Sequence, residues 1–174
     1  MIKVIMHGCN GKMGKNIVNL LANDTQAQIV AGVDAYDEGK NPFPVYASIK
    51  QCTTEADVII DFSTAKAVDN LLDYCVEKQV PCVLCTTGLT EEQLQKVADA
   101  SKKVAILKSA NMSLGINMLL KLVKKATAIL APAGFDIEIV EKHHNQKVDA
   151  PSGTALALAD SINEAMNDSY EYVY

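Results

Sequence analysis

The chain has 174 residues, with 21 Asp and Glu against 16 Lys and Arg for a formal net charge of −5, and is 49% hydrophobic and 21% charged. That composition excludes a disordered chain, and a polypeptide of this length buries most of the apolar surface it exposes when unfolded. The acidic balance offers no footprint for nucleic acid or an anionic membrane, and residues 1–7 lack the apolar stretch and small-residue cleavage site of a secretory signal.

The elements alternate from the start. Residues 2–7 read as a strand, residues 12–23 as a helix and residues 27–34 as a second strand, which together form a βαβ unit. Residues 41–51, with Pro42 and Pro44, read as an irregular connection ending in a short helical turn. Residues 58–62 are a third strand, and residues 65–78 a helix with Val68, Leu71, Leu72 and Cys75 on one stripe. The pattern then repeats: Pro81 opens a strand through Thr86, Thr90 caps a helix with Glu91, Glu92 and Gln93 in its first turn, and residues 104–107 are the next strand. Apolar runs with little alternation are what a strand needs when helices cover both its faces. The expected fold is therefore α/β, a doubly wound parallel sheet of Rossmann type over residues 1–112.

From Ser113 a long helix carries Met118, Leu119, Leu122, Val123, Ala126 and Ile129 to Leu130, and stops before Pro132 and Gly134. Residues 135–140 set Phe135, Ile137 and Ile139 against Asp136 and Glu138, the alternation of a strand with one solvated or domain-facing side. A last helix over 153–166 carries Ala155, Leu158, Ala159, Ile162 and Met166 inward, and Tyr170-Glu171-Tyr172-Val173-Tyr174 reads as a strand without a visible partner. Residues 113–174 are thus expected to form an incomplete α+β substrate domain, truncated at its C-terminus.

The first strand runs straight into Gly8-Cys9-Asn10-Gly11-Lys12-Met13-Gly14 and then a helix, the order that a pyrophosphate site demands. Glycine lets the main chain turn tightly and approach a diphosphate, while free N–H groups and the positive end of the helix dipole face the anion. The spacing is G-x-x-G-x-x-G, with Asn10 in the place of the usual middle glycine. Asp34 ends the second strand 20 positions after Gly14, where an acid accepts hydrogen bonds from the adenosine ribose and repels a 2′-phosphate. These residues predict a nicotinamide dinucleotide, with NADH favoured over NADPH. A glycine triplet by itself is as often an ordinary turn; the strand, helix and acid together carry the reading.

The five cysteines, Cys9, Cys52, Cys75, Cys82 and Cys85, form an odd, scattered set that suits free thiols in a reducing cytoplasm. The Cys82-x-x-Cys85 pair lies within a strand and has no second pair to complete a zinc site, so buried thiols are expected and no metal is assigned.

Before the last helix lies a loop rich in cations and imidazoles, Glu141-Lys142-His143-His144-Asn145-Gln146-Lys147, followed by Asp149-Ala150-Pro151-Ser152-Gly153-Thr154. The Gly153 and Thr154 N–H groups at the helix start, with the hydroxyls, suit a carboxylate, so the segment reads as an anion pocket. The plain alternative is a solvated basic loop before an N-cap.

At this point the chain resembles the dihydrodipicolinate reductase family, the 4-hydroxy-tetrahydrodipicolinate reductases. The resemblance rests on the Glu-x-His-His-x-x-Lys-x-Asp-Ala-Pro-Ser-Gly-Thr-Ala run at 141–155, Gly8-x-x-Gly11-x-Met13-Gly14, Asp61-Phe62-Ser63, Thr86-Thr87-Gly88 and Ser109-Ala110-Asn111-Met112-Ser113. It implies hydride transfer from NADH or NADPH to a cyclic unsaturated dicarboxylate in lysine and diaminopimelate biosynthesis, by a cytoplasmic homotetramer. His143 stands in the place of the family's proton donor, with Lys147 as a second acid and His144, Gly153 and Thr154 holding substrate. Cofactor contacts are implied for Gly8, Cys9, Asn10, Gly11, Lys12, Met13, Asp34, Cys85, Thr86, Thr87, Ser109, Ala110, Asn111 and Met112. The chain departs from the family at Cys85, where glycine is common, and at Met112, where many members have Phe; no basic residue follows Asp34 directly.

Two other readings carry their own consequences. A non-catalytic nucleotide-binding or sensing module binds NADH without oxidising it, and a semialdehyde-type dehydrogenase uses Cys85 as nucleophile and needs an activated thiol.

Overall fold

The computed structural model describes every residue except Glu38, Ala110, His144, 146–149 and Tyr174. It divides into two compact units, residues 1–109 and 110–174.

The first unit is a six-stranded parallel sheet. Its strands are β1 (Ile2–His7), β2 (Ala27–Val33), β3 (Val45–Tyr46), β4 (Val58–Asp61), β5 (Cys82–Leu84) and β6 (Ile106–Lys108), in the order β3-β2-β1-β4-β5-β6. Helices α1 (Lys12–Leu21), α2 (Ala65–Lys78) and α3 (Glu91–Ser101) connect them. The doubly wound expectation holds, because the central strands are apolar throughout: Ile5, Ile59 and Leu84 are fully buried, packed with Val68, Leu71 and Leu72 of α2 and Val97 and Ala100 of α3. Helix α3 begins with a complete capping box, in which the Thr90 side chain accepts from the Gln93 N–H and the Gln93 side chain accepts from the Thr90 N–H. Helix α2 ends where Gln79 turns left-handed, at φ 54°.

Residues 41–51 depart in part from the irregular connection expected of them. The helical turn is there, at Ile49–Gln51, but Val45–Tyr46 forms a short edge strand on β2. Two prolines masked it, and only Gly32, Val33 and Asp34 supply its ladder, through Gly32↔Val45, Val33↔Tyr46 and the Asp34 N–H to Tyr46 O bond.

The second unit carries helices α4 (Leu114–Leu130) and α5 (Gly153–Ala165), packed on each other. Ser113 caps α4 and Ser152 caps α5, each hydroxyl accepting a backbone N–H three residues on. The Ser161 hydroxyl of α5 donates to the Leu120 carbonyl of α4 at 2.9 Å. Residues 135–140 and 170–173, read as strands from their alternation, form no strand among the described residues. Alternation specifies a face, but a strand exists only when a neighbour completes its backbone ladder. Phe135 and Val140 are accordingly 60% and 90% exposed. The apolar stripe of α4 is likewise only partly covered, with Met118, Leu119 and Leu122 about half exposed.

Candidate functional site

In a doubly wound sheet the ligand crevice lies outside the carboxyl ends of the strands, where the strand order reverses. Here that point is between β1 and β4, whose last residues His7 and Asp61 are register partners. The chain leaves β1 at Gly8, which has φ 82°; a Cβ there would meet the Phe62 carbonyl oxygen at 2.5 Å. A Cβ on Gly14 would sit 2.0 Å from the Gly8 carbonyl oxygen, so the first turn of α1 presses directly on the glycine turn. Gly14→Ala is therefore expected to force backbone apart, destabilising the protein by about 1–3 kcal/mol and weakening reduced-nucleotide binding together with it. Urea unfolding and a fluorescence titration with NADH check both; parental values in each would show that the turn yields easily.

Helix α1 starts at Gly11 with no side-chain cap and no acid in its first turn. Among the described residues no side chain caps its leading N–H groups, the arrangement that receives a phosphate. Cys9 lies wholly buried beneath the turn, and burial, reinforced by the charges of Asp34 and Asp37, pushes its thiol up to about 11. Cys9 thus offers its backbone alone. Lys12 and Met13 are exposed on the first turn.

Asp34 follows β2 and meets the glycine turn: its Oδ2 accepts the Asn10 N–H at 3.0 Å and its Oδ1 the Tyr36 N–H at 3.1 Å. The fold thereby brings together Gly8, Asn10, Gly11 and Asp34, residues that are up to 26 positions apart in sequence.

A polar cluster that sequence reasoning missed lies beneath these turns. His7 Nδ1 is 2.7 Å from Asp61 Oδ1, and the Thr86 hydroxyl donates to Asp61 Oδ2; His7 and Thr86 are nearly buried and Asp61 wholly so. Burial pushes the Asp61 carboxyl up, but the bond and charge of His7 and the bonds from Ser63 and Thr86 outweigh it and hold the group below the ordinary 3.8. An ionised Asp61 requires His7 to donate from Nδ1. Three parallel strand ends are thus tied together at the switch point. The signal was present in the sequence as an acid closing an apolar strand, a residue type seldom buried without a partner.

Thr87 stands exposed on the next turn, while Cys85 is 6% exposed and burial, then the charge of Asp61, raises its thiol. That leaves Cys85 a protonated thiol, unsuited to the nucleophile of a semialdehyde dehydrogenase. Ser109 is half-buried after β6. Among the described residues no cluster of ligating side chains has the makings of a metal site, and no helix is long and apolar enough to cross a membrane.

In the second unit, Glu141 links the loop to the start of α5. Its Oε1 accepts the Ser152 N–H at 2.8 Å and its Oε2 lies 3.3 Å from His143 Nδ1. His143 is itself exposed, which suits a group that exchanges protons with a ligand. Gly153 is exposed at the first turn of α5, and the Thr154 hydroxyl accepts from Asn111 Nδ2 at 3.3 Å, so the structure brings Asn111 and Thr154 together. Met112 is half exposed. Ala110, His144 and Lys147 lie outside the described residues.

Comparison with known proteins bears on both units. A family model described as dihydrodipicolinate reductase, N-terminus, matches residues 2–112, and one described as dihydrodipicolinate reductase, C-terminus, matches residues 115–172. The 4-hydroxy-tetrahydrodipicolinate reductase of Caldanaerobacter subterraneus subsp. tengcongensis is 53% identical over 178 residues, covering 100% of this chain and 68% of that protein. The Clostridium tetani protein of the same name is 47% identical over 174 residues, again covering 100% of this chain and 68% of its own. Among solved structures, dipicolinate-bound dihydrodipicolinate reductase from Paenisporosarcina sp. TG-14 is similar with a TM-score of 0.79 at 32% identity, covering 100% of this chain and 69% of that one.

Proposed function

The chain belongs to the dihydrodipicolinate reductase family, and from that premise we propose that it reduces 4-hydroxy-tetrahydrodipicolinate to tetrahydrodipicolinate with NADH or NADPH, in lysine and diaminopimelate biosynthesis. The observation that carries this reading is the 53% identity to a 4-hydroxy-tetrahydrodipicolinate reductase in a match that covers 100% of this chain, and so both units. A nicotinamide dinucleotide fits the first unit, where an uncapped helix start and a glycine turn too tight for side chains adjoin a carboxylate after β2. When bound, it supplies the hydride.

The chain's own residues do the rest. Gly8, Cys9, Asn10, Gly11, Lys12 and Met13 hold the diphosphate, mostly through backbone N–H groups, and Asp34 takes the ribose, which favours NADH. Cys85, Thr86, Thr87, Ser109, Ala110, Asn111 and Met112 contact the rest of the cofactor. Burial of Cys85 and Thr86 leaves their backbone and the exposed Thr87 as the contacting groups there. His143 and Lys147 donate protons, while His144, Gly153 and Thr154 grip the two carboxylates at the positive start of α5. Glu141 holds His143 by Nδ1, which leaves Nε2 for the substrate. The same reading makes the protein a cytoplasmic homotetramer, an assembly that light scattering reads directly.

Titration with each reduced cofactor, with and without dipicolinate as substrate mimic, tests the proposal. Both sites working together require the mimic to bind more tightly when cofactor is present, and substrate to consume reduced nicotinamide absorbance. Cofactor binding without substrate-dependent oxidation would instead favour a sensing module.

A further inference from the structure

Asn10 occupies a position where the nucleotide-binding fingerprint ordinarily has glycine, and its side chain is engaged at both ends. Its Nδ2 donates to the Tyr36 carbonyl at 2.5 Å, and its Oδ1 accepts from Asn41 Nδ2 at 2.8 Å. Its backbone N–H meanwhile donates to Asp34 Oδ2, and the Tyr36 N–H to Asp34 Oδ1. Two amide side chains and one carboxylate thus tie the segment after β2 to the glycine turn at three points, and the Tyr36 N–H within that segment takes the second oxygen of Asp34. A glycine at position 10 retains the Asp34 bond and loses both side-chain bonds. No phosphate-binding purpose explains an asparagine here, since a side chain only crowds the approach of a diphosphate to the backbone.

We infer that the Asn10–Asn41 pair is a specificity latch, holding Tyr36 and Asn41 to the glycine turn beside Asp34 so that an adenosine ribose with a free 2′-hydroxyl is accepted and one bearing a 2′-phosphate is refused. This rests on the reading of Asp34 as the ribose acid. An acid alone discriminates weakly if its segment is free to swing away, because a dianionic phosphate then pushes the carboxylate into solvent, where water screens the repulsion. Pinned on both oxygens and from both sides, the carboxylate stays where the repulsion is felt. Asp37 adds charge of the same sign within the latched segment, its Oδ1 held by the Gly39 N–H at 2.9 Å. Specificity achieved in this way is a penalty on the wrong ligand rather than an added contact to the right one.

The test is the ratio of dissociation constants for NADPH and NADH, read by nicotinamide fluorescence at fixed salt in the unaltered protein and in Asn10→Gly, Asn41→Ala and Asp34→Ser. The latch requires the ratio to fall by about tenfold in both Asn10→Gly and Asn41→Ala. A collapse of the ratio in Asp34→Ser alone, with both asparagine variants within about twofold of the parent, overturns the latch and spares the ribose reading. An unchanged ratio in Asp34→Ser overturns the ribose reading and the latch with it. Should either asparagine variant misfold, hydrogen exchange on the unaltered protein decides: NADH is expected to slow exchange at the Asn10 and Tyr36 amides, and NADPH to leave them as fast as in the free protein. Equal slowing by the two cofactors overturns the proposal.

Discussion

Asp61→Ala is expected to cost about 3–5 kcal/mol of unfolding free energy, because it leaves two buried donors without their acceptor, at about 1–3 kcal/mol each. The carboxylate is wholly buried and both its oxygens are used, so its loss strands the His7 Nδ1–H and the Thr86 hydroxyl together in the centre of the sheet. Asp61→Asn keeps one acceptor oxygen and is expected to cost less. Since His7 and Asp61 act as a pair, His7→Leu should add less to Asp61→Ala than it costs alone. Urea unfolding with an unchanged denaturant slope reads all of these; a loss for Asp61→Ala under about 1 kcal/mol, the range of an exposed pair, would refute a buried one. The pH dependence has a definite sign. The folded carboxyl lies below its unfolded value, so the folded state binds fewer protons there, and its contribution is complete above the unfolded value. It drains away as pH falls through 3.8 toward the lower folded value. Acid unfolding of the parent should therefore begin in that window, and Asp61→Ala should show a shallower loss across it.

Much of the first unit was legible in the sequence because its signals are local. Unbroken apolar runs, a glycine turn between a strand and a helix, and Thr90 followed by Gln93 each specify a structure within a few residues. Val45–Tyr46 was not legible, since two residues that follow a pair of prolines become a strand only when β2 offers its edge. Residues 135–140 show the converse: a clear alternation cannot supply its own partner, and these residues stay exposed. The candidate site divides along the same line. Gly8, Gly11, Gly14 and Asp34 follow a spacing rule that encodes a single supersecondary unit. His7 with Asp61 and Thr86, or Asn10 with Asn41, are pairs 25 to 54 residues apart whose meaning exists only once the strands are ordered. Glu141 was quoted within a motif, yet its grip on both His143 and the start of α5 needed coordinates to be seen.

His143→Ala and Lys147→Ala are each expected to lower turnover by about 10²–10⁴-fold, the range of a lost general acid, with NADH affinity held. The split follows from where the residues lie in the chain: the cofactor's contacts are proposed mostly for the first unit, and these two residues precede α5 in sequence. A loss confined to kcat removes an interaction made in the transition state, whereas a rise in KM alone would make these residues mere binding groups. Glu141→Gln separates positioning from chemistry. The amide oxygen can still accept the Ser152 N–H that Glu141 now holds at 2.8 Å, while the charge facing His143 Nδ1 is gone. Its cost should be smaller than that of His143→Ala and fall mainly on kcat, since the imidazole is retained but loses the carboxylate that orients its Nδ1. Turnover at the parental rate in His143→Ala or Lys147→Ala would remove that residue from the chemistry. A parental kcat in Glu141→Gln would reduce Glu141 to a cap for α5.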